Sequence, residues 1–247
     1  NRNKKGLKTG VINAEDPSSQ LFVAAIKNPL TYGVGKGDLQ ASNVNLTPAG
    51  STFTAQIQSD TYQIETSLPG SFNVSNALAA IGVGRVMGLN KKQIERGLAA
   101  LKSVEGRMNR IDEGQDFEVI VDYAHTPDSF EKLFKDLRPV VEGKLIIMFG
   151  SAGRRDEAKR GVQGELAGTY GDDVVITEED DRDIDGQQIM KEIAAGAEIA
   201  GKVPKKDLFL VHDRTEAIQF AINRANKGDT VLLLGKGHEK TIESADG

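Results

Sequence analysis

The second half of the chain alternates short apolar runs with longer amphipathic segments. Runs rich in valine, isoleucine and leucine predict strands at residues 117–121, 144–149, 173–177, 208–211 and 230–234. Helical periodicity between them predicts helices at residues 127–138, 157–170, 186–200 and 214–226. Because these strands show no regular polar alternation, we expect them to be buried on both faces of a mostly parallel sheet with helices on both sides, an α/β fold.

The first half of the chain has a mixed pattern. Short strands are predicted at residues 10–13 and 31–34, an antiparallel meander at 41–70, and helices at 71–87 and 91–101. A helix that starts near Asp16 is expected to place Leu21, Phe22, Ala25 and Ile26 on one face. The pattern breaks after Glu105, so we predict two domains, residues 1–109 and 110–247.

The most informative stretch joins the strand at 117–121 to the helix that follows it. Thr126 is a good N-cap and Pro127 suits the first helical position. The intervening loop carries Asp122, Tyr123 and His125 at the carboxyl end of a buried strand, where open α/β sheets bind ligands. The alternative is that Asp122 and Asp128 only cap the turn and that His125 is only solvated.

Three further loops follow strands of the same predicted sheet, at residues 150–156, 177–183 and 235–239. Arg155 and Arg182 are suited to carboxylates, and Glu239 is suited to an ammonium group. Four polar loops on one rim indicate a site for a ligand with both charges, such as an amino acid.

Asn73 and Asn76 lie three residues apart near the start of a predicted helix and project from one side of it. Their amides are able to read the edge of a purine, and helix capping is an equally good explanation.

Composition and motifs exclude several classes of function. The net charge of −5 argues against an extended nucleic-acid surface, and the absence of cysteine rules out disulfides and thiolate metal sites. The apolar runs are too short to cross a membrane, and a cytoplasmic location is compatible with these features. Residues 33–38 fail the phosphate-loop pattern, and no dinucleotide-binding glycine motif follows the strand at 117–121. The chain begins without methionine, and we expect it to be part of a longer protein.

Eight segments together resemble the MurE-type Mur ligases, the UDP-N-acetylmuramoyl-tripeptide synthetases of peptidoglycan synthesis. They are INAEDP (12–17), FNVSNALAA (72–80), EGRMNRID (105–112), VIVDYAHTPDSFEKLF (119–134), FGSAGRRDEAKR (149–160), DDRDID (180–185), HDRTEAI (212–218) and GKGHE (235–239). They occur in family order and cover nearly the whole chain. The resemblance implies the later part of a central ATPase domain, followed by a Rossmann-like C-terminal domain that binds the amino acid.

The resemblance also implies an activity: an ATP-dependent, Mg²⁺-dependent amide ligase in cell wall biogenesis. Such an enzyme joins a diamino acid to UDP-N-acetylmuramoyl-L-Ala-D-Glu through an acyl phosphate, and we expect neither a nucleic-acid nor a membrane partner. By position, Asn73 and Asn76 match residues near the adenine and Asp122 matches the ribose-binding aspartate. Arg107 and His125 match catalytic positions near the phosphates. The positions that hold the incoming amino acid are matched by Arg155, Arg182, Gly235 and Glu239.

Departures from the family pattern leave alternatives open. The phosphate loop, the Mg²⁺ ligands and the carbamylated lysine are absent, so residues 1–247 alone are expected to be inactive. Arg154 replaces a family aspartate, and Glu179-Asp180-Asp181-Arg182 replaces the Asp-Asn-Pro-Arg motif of diaminopimelate-adding members. Because the arginine is retained, meso-diaminopimelate is favoured over L-lysine. The alternatives are a non-catalytic Mur-like binding module and a folylpolyglutamate synthetase-like ligase.

Overall fold

The computed structural model describes residues 9–47, 50–237, 239 and 241–243. The chain divides into two compact units, residues 1–102 and 103–247, and each unit has its own sheet. This division lies a few residues before the domain boundary at 109, which stays a prediction. Within the described ranges, no helix is long and apolar enough to cross a bilayer.

The first unit is built on a five-stranded sheet with the strands in chain order. Its elements are β1 (Thr9–Asn13), α1 (Ser19–Ala25), β2 (Asn28–Gly33), β3 (Leu39–Thr47), β4 (Gly50–Ile57), β5 (Asp60–Thr66), α2 (Ser71–Val86) and α3 (Lys91–Ala100). Strands β1 to β3 pair in parallel, and β3 to β5 pair antiparallel. The antiparallel part confirms the predicted meander, and its core includes Phe53, Ile64, Leu78 and Ile94.

The apolar face predicted for helix α1 is not the face that the helix buries. Leu21 and Phe22 are 75% and 56% exposed, whereas Ser19 is buried. Val23 and Ile26 are half-buried, and Ile26 packs against the backbone of Gly10. Residues 19, 23 and 26 therefore form the inner face of this segment, with the spacing i, i+4 and i+7. The larger apolar side chains at other positions made this face hard to predict from the sequence.

The second unit contains a six-stranded sheet with the strand order β10-β9-β8-β11-β7-β6. Its strands are β6 (Asn109–Ile111), β7 (Glu118–Asp122), β8 (Leu145–Phe149), β9 (Asp173–Ile176), β10 (Leu208–Leu210) and β11 (Thr230–Leu234). Its helices are α4 (Pro127–Leu137), α5 (Ala158–Tyr170), α6 (Gly186–Ile199) and α7 (Arg214–Arg224), with a 3-10 turn at Arg138–Val140. All neighbours pair in parallel except β6 and β7.

The sheet of the second unit confirms the predicted α/β fold. Every residue of β8, β9 and β11 is buried, as expected for strands covered by helices on both faces. The predicted start of α4 is also confirmed, because Thr126 and Ser129 form a reciprocal capping box and Pro127 is the first helical residue. Strand β6 was not predicted, because three residues carry too little periodicity.

Helices α5 and α6 cross with their backbones in close approach. A Cβ atom added at Gly164 would lie 1.9 Å from the carbonyl oxygen of Ile193, and one at Gly196 would lie 1.9 Å from that of Gly161. At such a distance the two helices would have to separate, because neither backbone is able to rotate away as a side chain does.

We expect Gly164→Ala to lower the free energy of unfolding by about 1–3 kcal/mol, the usual effect of overpacking. Gly161→Ala is a matched control on the same helix, because a Cβ there meets no atom within 4 Å. The control should be neutral or slightly stabilising, since alanine favours helix over glycine. Urea unfolding of both variants measures the difference, and equal midpoints would contradict the close-packing argument.

Candidate functional site

Asp122 is the last residue of β7 and is only 5% exposed. One carboxylate oxygen accepts a hydrogen bond from the amide of Met108 and the other from the amide of Ala124, both at 2.8 Å. Burial raises the pKa of Asp122, while the two amides and nearby Arg107 lower it. Asp122, which the sequence placed in the loop, is therefore a buried strand-end residue that holds the backbone at Met108 and Ala124.

The loop after β7 brings together three predicted site residues. The guanidinium of Arg107 lies 4.9 Å above the ring of Tyr123, and the ring centroids of Tyr123 and His125 are also 4.9 Å apart. Nδ1 of His125 lies 2.9 Å from the carbonyl oxygen of Tyr123. A hydrogen bond to Glu239, followed by burial, raises the pKa of Tyr123. Arg107, His125 and Glu239 therefore meet around Tyr123, which the sequence placed in this loop without assigning it a role.

The loop after β11 contacts the loop after β7. The amide of Gly235 donates to the carbonyl of Ala124 at 3.1 Å, and the amide of Gly237 donates to Glu239 at 2.9 Å. Gly235 has a φ of 88°, and a Cβ there would lie 2.5 Å from Oε2 of Glu179. Glycine is required at this position by both the backbone and the carboxylate. Residue 238 of the GKGHE motif is outside the described residues.

Glu179, in the loop after β9, is nearly as buried as Asp122, at 6% exposed. Its Oε2 has no hydrogen-bond partner within the described part of the chain. Burial raises the pKa of Glu179, and the positive charges of Lys159, Arg214 and Lys236 act in the opposite direction. Sequence reasoning did not separate Glu179 from its acidic neighbours, because only tertiary burial distinguishes it.

Two cations connect the rim loops. Nζ of Lys159, on α5, donates to the carbonyl of His125 at 3.0 Å, and burial lowers the pKa of this lysine. Lys236 forms a salt bridge with Asp180 and therefore joins the loops after β11 and β9. Neither lysine was predicted as a site residue, although Lys159 lies in the segment 149–160 and Lys236 in the GKGHE motif.

The two predicted substrate-binding arginines, Arg155 and Arg182, and the neighbouring Arg154 differ in their contacts. Arg182 donates from Nε to Glu243 at 3.0 Å and from a terminal nitrogen to the carbonyl of Gly153 at 2.9 Å. Arg154, which stands at the position of a family aspartate, is held by Asp183 through two hydrogen bonds. Arg155 is exposed and has no side-chain hydrogen bond or ion pair to the rest of the described structure. Arg154 and Arg182 both adopt positive φ angles, a strained conformation that clusters at functional sites.

The acidic residues of the loop do not occupy the guanidinium of Arg182. Asp183 pairs with Arg154 and Asp180 pairs with Lys236, whereas the ion-pair partner of Arg182 among the described residues is Glu243. The sequence left open whether the five acidic residues at 178–181 and 183 would neutralise this arginine. The ion-pair partner of Arg182 therefore comes from outside this acidic loop.

In the first unit, the two asparagines at the start of α2 form a pair. Asn73 is buried, its amide nitrogen donates to the carbonyl of Pro69 at 2.7 Å, and its oxygen accepts from Asn76 at 3.1 Å. Asn76 is exposed. The spacing of three residues does place both amides on one side of the helix, but only Asn76 presents its amide to solvent.

Comparison with known proteins agrees with this architecture. The family model described as "Mur ligase, glutamate ligase domain" matches residues 106–237, and the "Mur ligase middle domain" matches residues 2–84. A UDP-N-acetylmuramyl-tripeptide synthetase of Roseiflexus sp. is 46% identical over 96% of this chain and 48% of its own length. A UDP-N-acetylmuramoyl-L-alanyl-D-glutamate–2,6-diaminopimelate ligase of Geobacillus thermodenitrificans is 39% identical over 94% and 47%.

A solved structure gives the same result. A UDP-N-acetylmuramoyl-L-alanyl-D-glutamate–2,6-diaminopimelate ligase matches 97% of this chain and 50% of its own, at 31% identity and a TM-score of 0.61. The mixed α/β architecture with a mostly parallel second sheet matches that of solved Mur ligase structures. The chain belongs to the Mur ligase family, and it spans about half the length of the curated relatives it matches.

Proposed function

We propose that this chain is the later half of an ATP-dependent amide ligase that adds a diamino acid to UDP-N-acetylmuramoyl-L-Ala-D-Glu. Family membership supports the reaction class, and the names of the Roseiflexus and Geobacillus relatives support the tripeptide stage. When bound, ATP with Mg²⁺ supplies the phosphoryl group that activates the carboxylate of the precursor. The proposal assigns the Mg²⁺ ligands to sequence outside residues 1–247.

The residues proposed to bind ATP differ in how well their contacts suit nucleotide binding. Asn76 offers an exposed amide held in place by Asn73, an arrangement suited to the donor and acceptor edge of a purine. Asp122 already accepts two backbone amides, so a ribose hydroxyl would use a remaining lone pair. Arg107 and His125 supply a cation and an imidazole beside Tyr123, where we place the phosphates.

The pairing of Arg182 with Glu243 is the observation that carries the choice of acceptor. A terminal carboxylate of meso-diaminopimelate is chemically equivalent to the Glu243 side chain, and L-lysine has no second carboxylate. Glu243 is 60% exposed, so a ligand would displace a weak, solvated partner from the guanidinium. Arg155 provides a second exposed guanidinium in the neighbouring loop. We therefore propose meso-diaminopimelate as the acceptor, with its ammonium group near Glu239.

The full-length ligase should add meso-diaminopimelate with a higher kcat/KM than L-lysine. Arg182→Ala should lower kcat/KM for meso-diaminopimelate about 10–150-fold, equivalent to the roughly 1.5–3 kcal/mol of a hydrogen bond to a charged group. The same variant should change the rate with L-lysine only slightly. Arg154→Ala is the matched control, because that side chain is already held by Asp183. Preference for lysine, or equal losses with both amino acids, would refute the diaminopimelate assignment.

A further inference from the structure

Two carboxylates and an imidazole converge between the loops after β9 and β10. Oε2 of Glu178 lies 3.7 Å from Nδ1 of His212, and Oδ2 of Asp181 lies 3.8 Å from Nε2 of the same ring. One ligand atom from each residue lies within 4.8 Å of the other two. This cluster is separate from the contacts of Arg182 and from the stack around Tyr123.

One carboxylate oxygen of this cluster is available to bind a cation. Oδ1 of Asp181 is buried and has no hydrogen-bond partner among the residues that the structure describes. A buried carboxylate oxygen without a donor is unfavourable unless a cation or a water molecule satisfies it. Burial accordingly raises the pKa of Asp181. Gly186 faces the other carboxylate oxygen and the imidazole, because a Cβ there would lie 1.9 Å from Oδ2 of Asp181 and 3.0 Å from Nε2 of His212.

The scaffold fixes the cluster from both sides. The carbonyl of His212 accepts hydrogen bonds from Oγ1 of Thr177 at 2.9 Å and from the amide of Glu178 at 3.1 Å. Oε1 of Glu178 accepts the amide of Arg214 at 3.1 Å, which leaves Oε2 directed toward His212. Outer contacts of this kind orient metal ligands and increase affinity.

We propose that Glu178, Asp181 and His212 form a site for a divalent transition-metal ion, with zinc the best match. Imidazole with carboxylates suits zinc, whereas magnesium and calcium prefer oxygen ligands alone. Tetrahedral zinc with His and carboxylate ligands places ligand atoms about 3.3–3.4 Å apart, given metal–ligand distances near 2.0–2.1 Å. Glu178 and Asp181 approach different nitrogens of the ring, at 3.7 and 3.8 Å, and one ligand atom from each residue lies within 4.8 Å of the other two. A shared ion would therefore draw these side chains together by up to about 1.4 Å. One ring nitrogen binds the ion, and water completes the coordination.

The proposed ion would fasten the loop after β9 to the loop after β10. Its role is therefore to hold the loop that carries Glu179 and Arg182, and it does not depend on the ligase reaction proposed above. Because the ion would bind the folded chain, it should raise the temperature of unfolding.

The test is calorimetric titration of chelator-treated residues 1–247 with Zn²⁺, in the presence of excess Mg²⁺. We expect one equivalent to bind and the melting temperature to rise. His212→Gln keeps the backbone carbonyl that Thr177 and Glu178 bind, so it removes only the imidazole. This variant and Asp181→Asn should each weaken Zn²⁺ binding at least about tenfold.

Glu198→Gln is the matched control, since this carboxylate is exposed on α6 away from the cluster. It should bind Zn²⁺ as the unaltered chain does. Co²⁺ serves as a second probe, and its visible absorption should be lost in His212→Gln. Circular dichroism establishes that each variant is folded. Absence of stoichiometric Zn²⁺ binding, or unchanged affinity in both folded ligand variants, would overturn the proposal.

Discussion

Asp122→Ala is expected to lower the free energy of unfolding by about 2–6 kcal/mol, because it leaves two buried amides without an acceptor at roughly 1–3 kcal/mol each. The amides belong to Met108 and Ala124, on opposite sides of the β7 strand end. Alanine would also leave space where the carboxylate is now buried. Chemical denaturation of the variant and of the unaltered chain measures this difference.

Asp128→Ala is the matched control for this prediction. Asp128 lies on the first turn of α4, six residues further along, and its exposed carboxylate pairs with Lys132 at 2.9 Å. Removing such a pair should cost less than about 1 kcal/mol. Asp122→Asn retains one acceptor oxygen and should fall between the two. If Asp122→Ala and Asp128→Ala had equal stabilities, the organising role of Asp122 would be wrong, whatever its effect on nucleotide binding.

Residues 1–247 alone are expected to release no phosphate above background from ATP, precursor and either amino acid. The sequence contains no Gly-x-x-x-x-Gly-Lys-Ser/Thr loop, whose backbone amides bind the β- and γ-phosphates. Residues 33–38 do not substitute for one. The amide of Val34 is bonded to Glu15, and Thr31 donates twice to Asp38, so carboxylates already occupy the groups that a phosphate would need.

The positive control is the full-length Roseiflexus synthetase, assayed with the same substrates. Circular dichroism would establish that residues 1–247 are folded under the assay conditions. Phosphate release that depends on both precursor and amino acid, at a rate comparable to the control, would contradict the expectation and would require a phosphate site within this chain.

The sequence predicted the second unit well, because its strands are buried on both faces. Runs such as Leu145–Phe149 and Thr230–Leu234 have no polar alternation, and this pattern identifies them as strands buried on both faces. The start of α4 was equally clear, since Thr126 and Pro127 act locally. Features that depend on a residue and its immediate neighbours could therefore be predicted from the sequence.

Features that depend on tertiary packing could not be predicted from the sequence. The placement of β11 between β7 and β8 is set by the packing of distant segments, and no local pattern encodes it. The burial of Asp122 and Glu179, the Asp183 partner of Arg154 and the inward face of α1 have the same origin. Residue types near the strand ends indicated a site, but the structure determines which of those groups remain available to a ligand.

The central position of β11 has a consequence for synthesis of the chain on the ribosome. Strands β6 and β7 form one part of the sheet and β8, β9 and β10 another, and β11 supplies the ladder between them. A nascent chain that has emerged as far as residue 229 contains all four helices of the second unit but exposes two unpaired apolar strand edges. Such edges are prone to aggregation and proteolysis. The second unit therefore completes its fold only once β11 has left the exit tunnel.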